Sequence, residues 1–229
     1  MDLEEFESKI DIEFKNKDLL KRAFTHRSYL NEHRNLKMEH NERLEFLGDA
    51  VLELIITSYL YTKYPDKQEG ELTSYRAALV RTETLAGIAE ELSLNDFLLL
   101  SRGEAKDTGR ARQYILANTV EAVIGAIYLD QGYDGAEKFI GSVLFEKTEK
   151  VISERTWLDA KSHFQEKAQE FTSITPSYKV MEESGPDHDK KFVAGVFIGE
   201  EKIADGEGKS KQEAEQQAAA EGLKVKGWE

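Results

Sequence analysis

The spacing of apolar residues changes once along this chain of 229 residues, and that change sets the fold class. From residue 14 to about residue 151, apolar side chains recur three and four apart, which is typical of amphipathic α-helices. Beyond residue 155 a further helical stretch is followed by short runs of β-branched and aromatic residues, which predict strands, and then by a last helix. The sequence therefore predicts an all-α part followed by a small α+β part with the order α-β-β-β-α.

Turn sequences separate the predicted elements, for example Tyr64-Pro65-Asp66 and the segments 68–70, QEG, and 131–135, QGYDG. The predicted helices of the first part are 18–24, 44–60, 72–92, 115–130 and 136–145. In the second part, helices are predicted at 160–171 and 211–223 and strands at 177–181, 192–198 and 202–203. We predict domains at 1–151 and 159–227, joined by a linker at 152–158.

Composition narrows the class of protein. A hydrophobic content of 40% over this length is enough for a substantial core. The chain has no cysteine, which excludes disulfides, thiolate metal sites and cysteine nucleophiles. No apolar run reaches the roughly 18 residues of a membrane span, and the N-terminus is acidic, so a soluble cytoplasmic protein without membrane contact is predicted. The net charge of −13 argues against a nucleic-acid partner unless specific residues indicate one.

Three carboxylates interrupt the leucine-rich stretch 41–54, NERLEFLGDAVLEL. At about 100° per residue, Glu42, Glu45 and Asp49 fall within about 60° of one helix face. Two carboxylates about 5 Å apart repel by roughly 3 kcal/mol at an effective dielectric constant near 20, so a cation between them would stabilise the group. Oxygen ligands favour a hard cation such as Mg²⁺. A solvated acidic stripe has the same spacing, and spacing alone leaves both interpretations open.

A second apolar helix carries polar side chains of the same kind. In ILANTVEAVIGAIYLD, residues 115–130, Asn118 and Glu121 lie three apart and share one face. Two helices that face each other with inward acids can form a metal site. The histidines do not fit the HExxH pattern of a zinc hydrolase, and we interpret His26, His33 and His40 as structural or surface residues.

Four segments together resemble the bacterial ribonuclease III family of double-strand-specific RNA endonucleases. They are THRSY at 25–29, ERLEFLGDA at 42–50, EG at 69–70 and LANTVEAVIGAIYLDQG at 116–132. The nine residues 42–50 form the signature of that family, and the resemblance extends over essentially the whole chain. It implies an endonuclease domain followed by a double-stranded RNA-binding domain.

The resemblance also implies site residues and partners. It makes Glu45, Asp49 and Glu121 ligands of Mg²⁺, for which Mn²⁺ can substitute, and it places Glu42 and Glu69 in the same acidic cleft. It makes the protein a homodimer in which the aromatic ring at position 46, Phe46, inserts into the partner subunit. Each site would cut one strand of the duplex and leave staggered 5′-phosphate and 3′-hydroxyl ends. Processing of ribosomal RNA precursors and of structured transcripts, including mRNA, would be its role.

One position departs from the family pattern. Where the family has aspartate, in a segment that commonly reads ADAFEA, this chain has Asn118 in ANTVEA. An amide oxygen can still bind a hard cation, so Asn118 is predicted as the fourth metal ligand, but it adds no negative charge. Metal affinity is therefore expected to fall. Either the chain still cuts duplex RNA or it is a non-cutting RNA-binding protein.

The second part is acidic but carries grouped basic residues. Between residues 156 and 229, Lys and Arg number 10 and Asp and Glu number 15, so any RNA contact must come from local groups. Gly208-Lys209-Ser210 suggests a phosphate-binding loop, but that motif needs glycine where Ile203 stands, so no nucleotide cofactor is predicted. A helix N-terminus with Ser210 and two lysines can instead contact an RNA phosphate.

The order α-β-β-β-α, with GxGxSK before the last helix, resembles a double-stranded RNA-binding domain, which reads the shape of A-form RNA. Candidate contacts to minor-groove edges and 2′-hydroxyls are Ser162, Gln165, Gln169 and His188. Candidate phosphate contacts are Lys190, Lys191, Lys209, Ser210 and Lys211. Gln212 replaces a common lysine and Asp189 adjoins His188, so we expect reduced RNA affinity. A small α+β domain that binds protein, and a scaffold without any RNA role, are the alternatives.

Overall fold

A computed structural model describes residues 2–153, 160–186 and 190–228. The chain divides into two compact units, Met1–Trp157 and Leu158–Glu229. The first unit is helical and the second combines helices with a sheet, which confirms the predicted fold class. In the described residues, no helix is both long and apolar enough to cross a membrane.

The helices of the first unit pack around one apolar core. They are α1 (Leu3–Ile10), α2 (Lys17–Ala23), α3 (Arg27–Glu32), α4 (Glu42–Lys63), α5 (Glu69–Val80), α6 (Thr82–Glu91), α7 (Arg110–Ile140) and α8 (Glu146–Ser153). The most extensive contact joins α4 to α7, and both helices contribute fully buried side chains such as Leu52, Ile55, Val123 and Ile127. These two central helices carry the predicted catalytic residues Glu42, Glu45, Asp49 and Glu121, whereas Glu69 lies on α5.

Several predicted boundaries in the first unit differ from the structure. Helix α1 was not predicted, although Asp2 caps it and Phe6 is fully buried in the core. The predicted helix 72–92 is two helices, because the backbone at Arg81 is extended. The segment 68–70 was expected as a turn, but its last two residues form the start of α5. The predicted break after residue 130 is a kink inside α7, where Gly132 has φ 75°.

The second unit packs two helices on one face of a sheet. Helix α9 (Ala160–Thr172) precedes β1 (Ser177–Ser184), β2 (Lys191–Ile198) and β3 (Glu201–Gly208), and α10 (Lys211–Lys226) follows. The sheet is antiparallel with the order β1-β2-β3, and Val196 of β2 pairs with Tyr178 and Ala204. Phe164 and Leu223 contribute to the core between sheet and helices. The predicted order α-β-β-β-α is confirmed.

A close helix contact explains a glycine in GxGxSK. A Cβ added at Gly206 would lie 2.1 Å from the backbone nitrogen of Ala218, so α10 reaches this strand only where a side chain is missing. The strands β1 and β3 are longer than predicted. Helix α8 continues to Ser153, two residues into the predicted linker 152–158, and the rest of that linker lies outside the described residues. The domain boundaries stay predictions.

Candidate active site

The start of α4 is anchored by the residue that opens the signature stretch. Asn41 is 2% exposed. Its backbone N–H donates to the carbonyl of Thr25 over 2.9 Å, and its side-chain amide donates to the carbonyl of Ala23 over 3.2 Å. These bonds connect α4 to the end of α2 and so to the THRSY segment. The first turn of α4, with Glu42 and Glu45, is therefore held by tertiary contacts.

Two glycines let α4 and α7 touch through their backbones. A Cβ on Gly48 would lie 1.7 Å from the carbonyl oxygen of Glu121, and a Cβ on Gly125 would lie 2.2 Å from the carbonyl oxygen of Leu44. Any side chain at either position would force the helices apart. The contact lies beside Asp49 and at Glu121 itself. The glycine of the signature thus sets the separation of the two helices that carry the acids.

Three carboxylates and one amide meet at this contact. Asp49 is exposed, whereas Glu45, Asn118 and Glu121 are partly buried. The pKa of Glu45 is raised by burial and by the carboxylates of Glu42 and Asp49, and a hydrogen bond to the Asn118 side chain opposes that rise. A carboxylate only accepts at neutral pH, so the amide donates this bond. An aspartate at position 118 could not donate it when ionised.

Glu121 has the most perturbed carboxyl group of the site. Burial, together with the carboxylates of Asp49 and Glu45, raises its pKa to about 8. The folded protein thus keeps a proton on Glu121 at neutral pH because the group is buried and two carboxylates approach it. Strongly shifted acids of this kind concentrate at functional sites.

The chemistry of this group fits a hard divalent cation, since all its donors are oxygen atoms. Within residues 2–153, 160–186 and 190–228, however, no three His, Cys, Asp or Glu side chains are arranged to hold a metal ion. Ionised carboxylates repel each other when no cation lies between them. A cation would have to draw Glu45, Asp49 and Glu121 together, and it would stabilise the group against the repulsion that contributes to the raised pKa of Glu121.

The structure separates two acids that were expected to line the same cleft. Glu42 stays near the group: its carboxylate acts on Glu45 and lies 3.5 Å from Nη1 of Arg27. Glu69 begins α5 and lines a different cavity, of about 430 Å³, with Thr57 and Tyr61 of α4. Within this chain, Glu69 is not among the groups that shift the pKa of Glu45 or of Glu121.

An apolar stripe follows the exposed side of α4. Phe46 is 81% exposed, Tyr61 75% and Leu54 55%. Their positions fall within about 80° on the helix, so they share one face. Large side chains exposed in a row commonly mark a protein contact. Phe46, the predicted interface residue, is the most exposed of them.

The predicted RNA-binding residues of the second unit lie at two places. On α9, Ser162, Gln165 and Gln169 line one cavity of about 630 Å³ together with Glu166 and Glu170. The two glutamates give that surface negative charge. His188 lies outside the described residues.

The start of α10 already holds a carboxylate. The backbone N–H of Lys209 donates to Glu213 over 2.8 Å, and the backbone N–H of Glu213 donates to Ser210 Oγ over 3.2 Å. Ser210 thus caps the helix, and the Glu213 carboxylate binds the backbone of the residue that precedes the cap. Lys211 Nζ lies 5.8 Å from the centre of the Phe192 ring, and Lys190 pairs with Glu183 over 2.7 Å. A phosphate would compete with Glu213 for the N-terminus.

One cavity beside the acids was not predicted from the sequence. It has a volume of about 560 Å³, and its lining includes Glu45 and Asn118 as well as Arg27, Asn31 and Tyr114. The only sequence signal was THRSY, which supported the family resemblance without any role for its residues. Helical spacing places Tyr114 and Asn118 on one face of α7, but the opposing α3 is brought there only by the fold.

Comparisons with known proteins agree with this arrangement. The model of a family described as "Ribonuclease-III-like" matches residues 16–148, and that of the "Double-stranded RNA binding motif" matches residues 160–226. Proteins named Ribonuclease 3 are similar over nearly the whole chain. The one from Streptococcus thermophilus is 45% identical over 98% of this chain and 97% of its own length. The one from Oceanobacillus iheyensis is 47% identical, with coverage of 97% for both.

A solved structure supports the same assignment for the first unit. The nuclease domain of ribonuclease III from Campylobacter jejuni is similar with a TM-score of 0.58 and 41% sequence identity, over 63% of this chain and 97% of that domain. Both family models follow the observed division into a helical unit and a unit with a sheet. The chain therefore belongs to the ribonuclease III family of endoribonucleases, which act on double-stranded RNA.

Proposed function

We propose that this chain cuts both strands of duplex RNA in a reaction that depends on Mg²⁺, with Mn²⁺ able to replace it. The products are staggered ends with 5′-phosphate and 3′-hydroxyl groups. The observation that carries the proposal is the meeting of Glu45, Asp49 and Glu121 where α4 and α7 touch. Their mutual repulsion is offset by a hard cation, which is the ligand that such a group of oxygen atoms prefers.

Each residue of the group has a defined part in this proposal. Glu45, Asp49 and Glu121 hold the cation, and Asn118 contributes its amide oxygen. When bound by these residues, a divalent cation would supply Lewis-acid chemistry: it would lower the pKa of a water molecule and stabilise charge on the scissile phosphate. Glu121 gives up its proton when it becomes a ligand, so cation affinity increases with pH up to about the pKa of 8. Glu42 and Glu69 stay proposed members of the acidic cleft.

We further propose that the second unit contacts duplex RNA. Its minor-groove contacts are Ser162, Gln165, Gln169 and His188, and its phosphate contacts are Lys190, Lys191, Lys209, Ser210 and Lys211. The positions of Ser162, Gln165 and Gln169 on one face of α9 support this proposal. Because Glu213 occupies the start of α10, binding of a phosphate there requires the carboxylate to move. We therefore expect modest affinity with a strong dependence on salt.

Membership of the family supports a proposal about the cellular role. We propose a cytoplasmic homodimer that processes ribosomal RNA precursors and structured messenger transcripts. Incubation of the protein with end-labelled duplex RNA tests the chemistry. Cleavage in Mg²⁺ but not in EDTA, with ends that carry 5′-phosphate, is the expected result. Binding without cleavage in both Mg²⁺ and Mn²⁺ would favour the alternative of a non-cutting RNA-binding protein.

That alternative has one specific observation in its favour, the hydrogen bond that Asn118 donates to Glu45. By donating to Glu45, the amide stabilises part of the negative charge that a bound cation would otherwise stabilise. We expect Asn118→Asp to remove this competition, add a ligand charge and lower the Mg²⁺ concentration for half-maximal cleavage by about tenfold. A Mg²⁺ titration of the single-turnover rate measures the change.

Asn35→Asp is the matched control for this prediction. Asn35 is exposed in the segment between α3 and α4 and does not line the cavity that Glu45 and Asn118 share, so the same substitution adds the same charge outside that cavity. It should leave the Mg²⁺ dependence unchanged, and neither variant should alter duplex binding in EDTA. Equal Mg²⁺ dependence of the parent and Asn118→Asp would show that position 118 does not contribute to cation binding.

Phe46 tests the proposed homodimer. Because its ring is 81% exposed at one end of the apolar stripe on α4, truncation costs little in the free subunit. An aromatic ring that inserts into a partner subunit is a typical hot spot, and its loss costs about 2 to 4 kcal/mol. We expect Phe46→Ala to raise the dimer dissociation constant at least about thirtyfold, measured by sedimentation velocity. Phe171→Ala removes an exposed phenylalanine from the second unit and should leave the dimer dissociation constant of the parent unchanged. If Phe46→Ala dimerises as tightly as the parent, Phe46 is not an interface residue.

A further inference from the structure

The cavity of about 560 Å³ next to the acids is built from parts of the first unit that are distant in sequence. Its walls come from α3, from the start of α4, from Glu104 and from the first turns of α7. Glu42, Glu45 and Asn118 belong both to its lining and to the acidic group. A molecule bound at the acids therefore has its neighbouring portion in or over this cavity.

The charge of the lining selects what the cavity accepts. Three carboxylates, those of Glu42, Glu45 and Glu104, face a single permanent cation, Arg27. Arg27 is already near a carboxylate, with Nη1 3.5 Å from Glu42 Oε1. Burial is the main cause of a lowered pKa at His26, so positive charge on this ring is disfavoured. A net negative cavity repels a phosphate and attracts groups that donate hydrogen bonds.

Two polar groups of the lining are available to a ligand. Within the described part of the chain, the side-chain amide of Asn31 and the hydroxyl of Tyr114 have no hydrogen-bond partner in the protein. Tyr114 is 50% exposed, so one part of its ring is open to a sugar or a base. Ser28 is different, because its hydroxyl pairs with His26 and accepts from the backbone of Ser101. Asn31 and Tyr114 can therefore bind a ligand without loss of a structural bond.

Duplex RNA presents a matching donor. Each ribose has a 2′-hydroxyl, which lies in the wide minor groove of A-form RNA and distinguishes RNA from DNA. A hydroxyl donates one hydrogen bond and accepts others, so it can donate to a carboxylate and accept from the amide of Asn31. We propose that this cavity binds the ribose of a nucleotide next to the scissile phosphate and recognises its 2′-hydroxyl. The inference rests on the proposed function, because the acids must hold the cation that contacts the scissile phosphate.

The experiment replaces single 2′-hydroxyls by fluorine in a duplex with one cleavage site. Fluorine keeps the A-form sugar conformation but cannot donate a hydrogen bond. Each of the three nucleotides on either side of the scissile bond is replaced in turn. Single-turnover cleavage is measured in Mg²⁺, and affinity is measured in Ca²⁺, for the parent, Asn31→Ala and Asn35→Ala.

We expect one position at which fluorine slows the parent and Asn35→Ala by about tenfold, the effect of one lost hydrogen bond to a charged group. At that position fluorine should slow cleavage by Asn31→Ala by less than about threefold, because the substitution has already weakened the contact of the cavity with the 2′-hydroxyl. Tyr114→Phe should reduce the fluorine effect as well, and it keeps the aromatic ring.

Three outcomes would overturn the inference. Fluorine could have no effect at any position, or it could have the same effect in the parent, Asn31→Ala and Tyr114→Phe. Guanosine could also be replaced by inosine, which lacks the 2-amino group. If this replacement slows cleavage and fluorine does not, the cavity recognises a base and not a 2′-hydroxyl. If the parent cuts in neither Mg²⁺ nor Mn²⁺, the proposed function fails. The cavity is then still tested by the affinities in Ca²⁺, because the effect of fluorine on binding can be compared between the parent and Asn31→Ala.

Discussion

Replacement of Glu121 by glutamine is expected to abolish cleavage and to stabilise the protein in the absence of divalent cations. The variant removes a proposed ligand, so the single-turnover rate should fall by roughly a thousandfold or more. It also removes the carboxyl group whose pKa burial and neighbouring acids raise to about 8. A purely structural glutamate would not combine lost activity with gained stability.

The direction of the pH dependence follows from that raised pKa. Below pH 4.5, the ordinary value for glutamate, the carboxyl is protonated in the folded and unfolded states and has no effect on stability. Between that pH and about 8 only the folded state keeps the proton, so the parent loses stability as pH rises. We expect Glu121→Gln to match the parent near pH 4.5 and to exceed its free energy of unfolding at pH 8. The two pKa values imply roughly 4 kcal/mol, and solvent screening of this partly exposed group reduces the expected difference to about 2 kcal/mol.

Urea denaturation in EDTA at several pH values measures this difference, and added Mg²⁺ extends the test. Mg²⁺ should stabilise the parent, since a ligand that binds only the folded state favours that state, and it should have little effect on Glu121→Gln. Glu137→Gln is the matched control, because Glu137 is exposed on the same helix. A free energy of unfolding for Glu121→Gln that is equal to the parent's at pH 8 would contradict the repulsion on which the cation proposal depends.

Gly48→Ala is expected to cost at least about 3 kcal/mol of unfolding free energy, because the new Cβ would overlap a backbone atom. That atom is the carbonyl oxygen of Glu121, 1.7 Å away, and Gly125 N lies at 2.9 Å. Neither can rotate away as the end of a side chain can, so α4 and α7 must separate. The separation would displace Glu121 from Asp49, and we expect the stabilising effect of Mg²⁺ to disappear with it.

Gly87→Ala is the control for Gly48→Ala, because it makes the same substitution at a glycine without close neighbours. Gly87 lies inside α6, and an added Cβ there has no heavy atom within 4 Å. Alanine is the better helix former, so this variant should gain up to about 1 kcal/mol. Urea denaturation of the two variants measures the difference of roughly 4 kcal/mol that the prediction requires. Similar stability of Gly48→Ala and the parent would mean that the two helices are not in backbone contact.

The sequence alone determined the fold class and the pair of helices that carry the site. Apolar spacing predicted both central helices, because a buried helix repeats its contacts every three to four residues. Helical geometry also placed Glu42, Glu45 and Asp49 on one face, and Asn118 with Glu121 on another. Short elements were harder: α1 was missed because its 8 residues hold too few such repeats, although Phe6 is fully buried.

How these faces meet depends on the packing of the folded chain. The approach of Gly48 to the carbonyl of Glu121 depends on the crossing of two helices that are distant in sequence, and spacing along one helix carries no information about it. The same contact contributes to the pKa of about 8 at Glu121, since burial and nearby charges are properties of the folded protein. It also sets the donor role of Asn118 toward Glu45, for which the sequence predicted only a ligand oxygen. Glu69 likewise belongs to another cavity of this chain, because α5 begins beside the far half of α4.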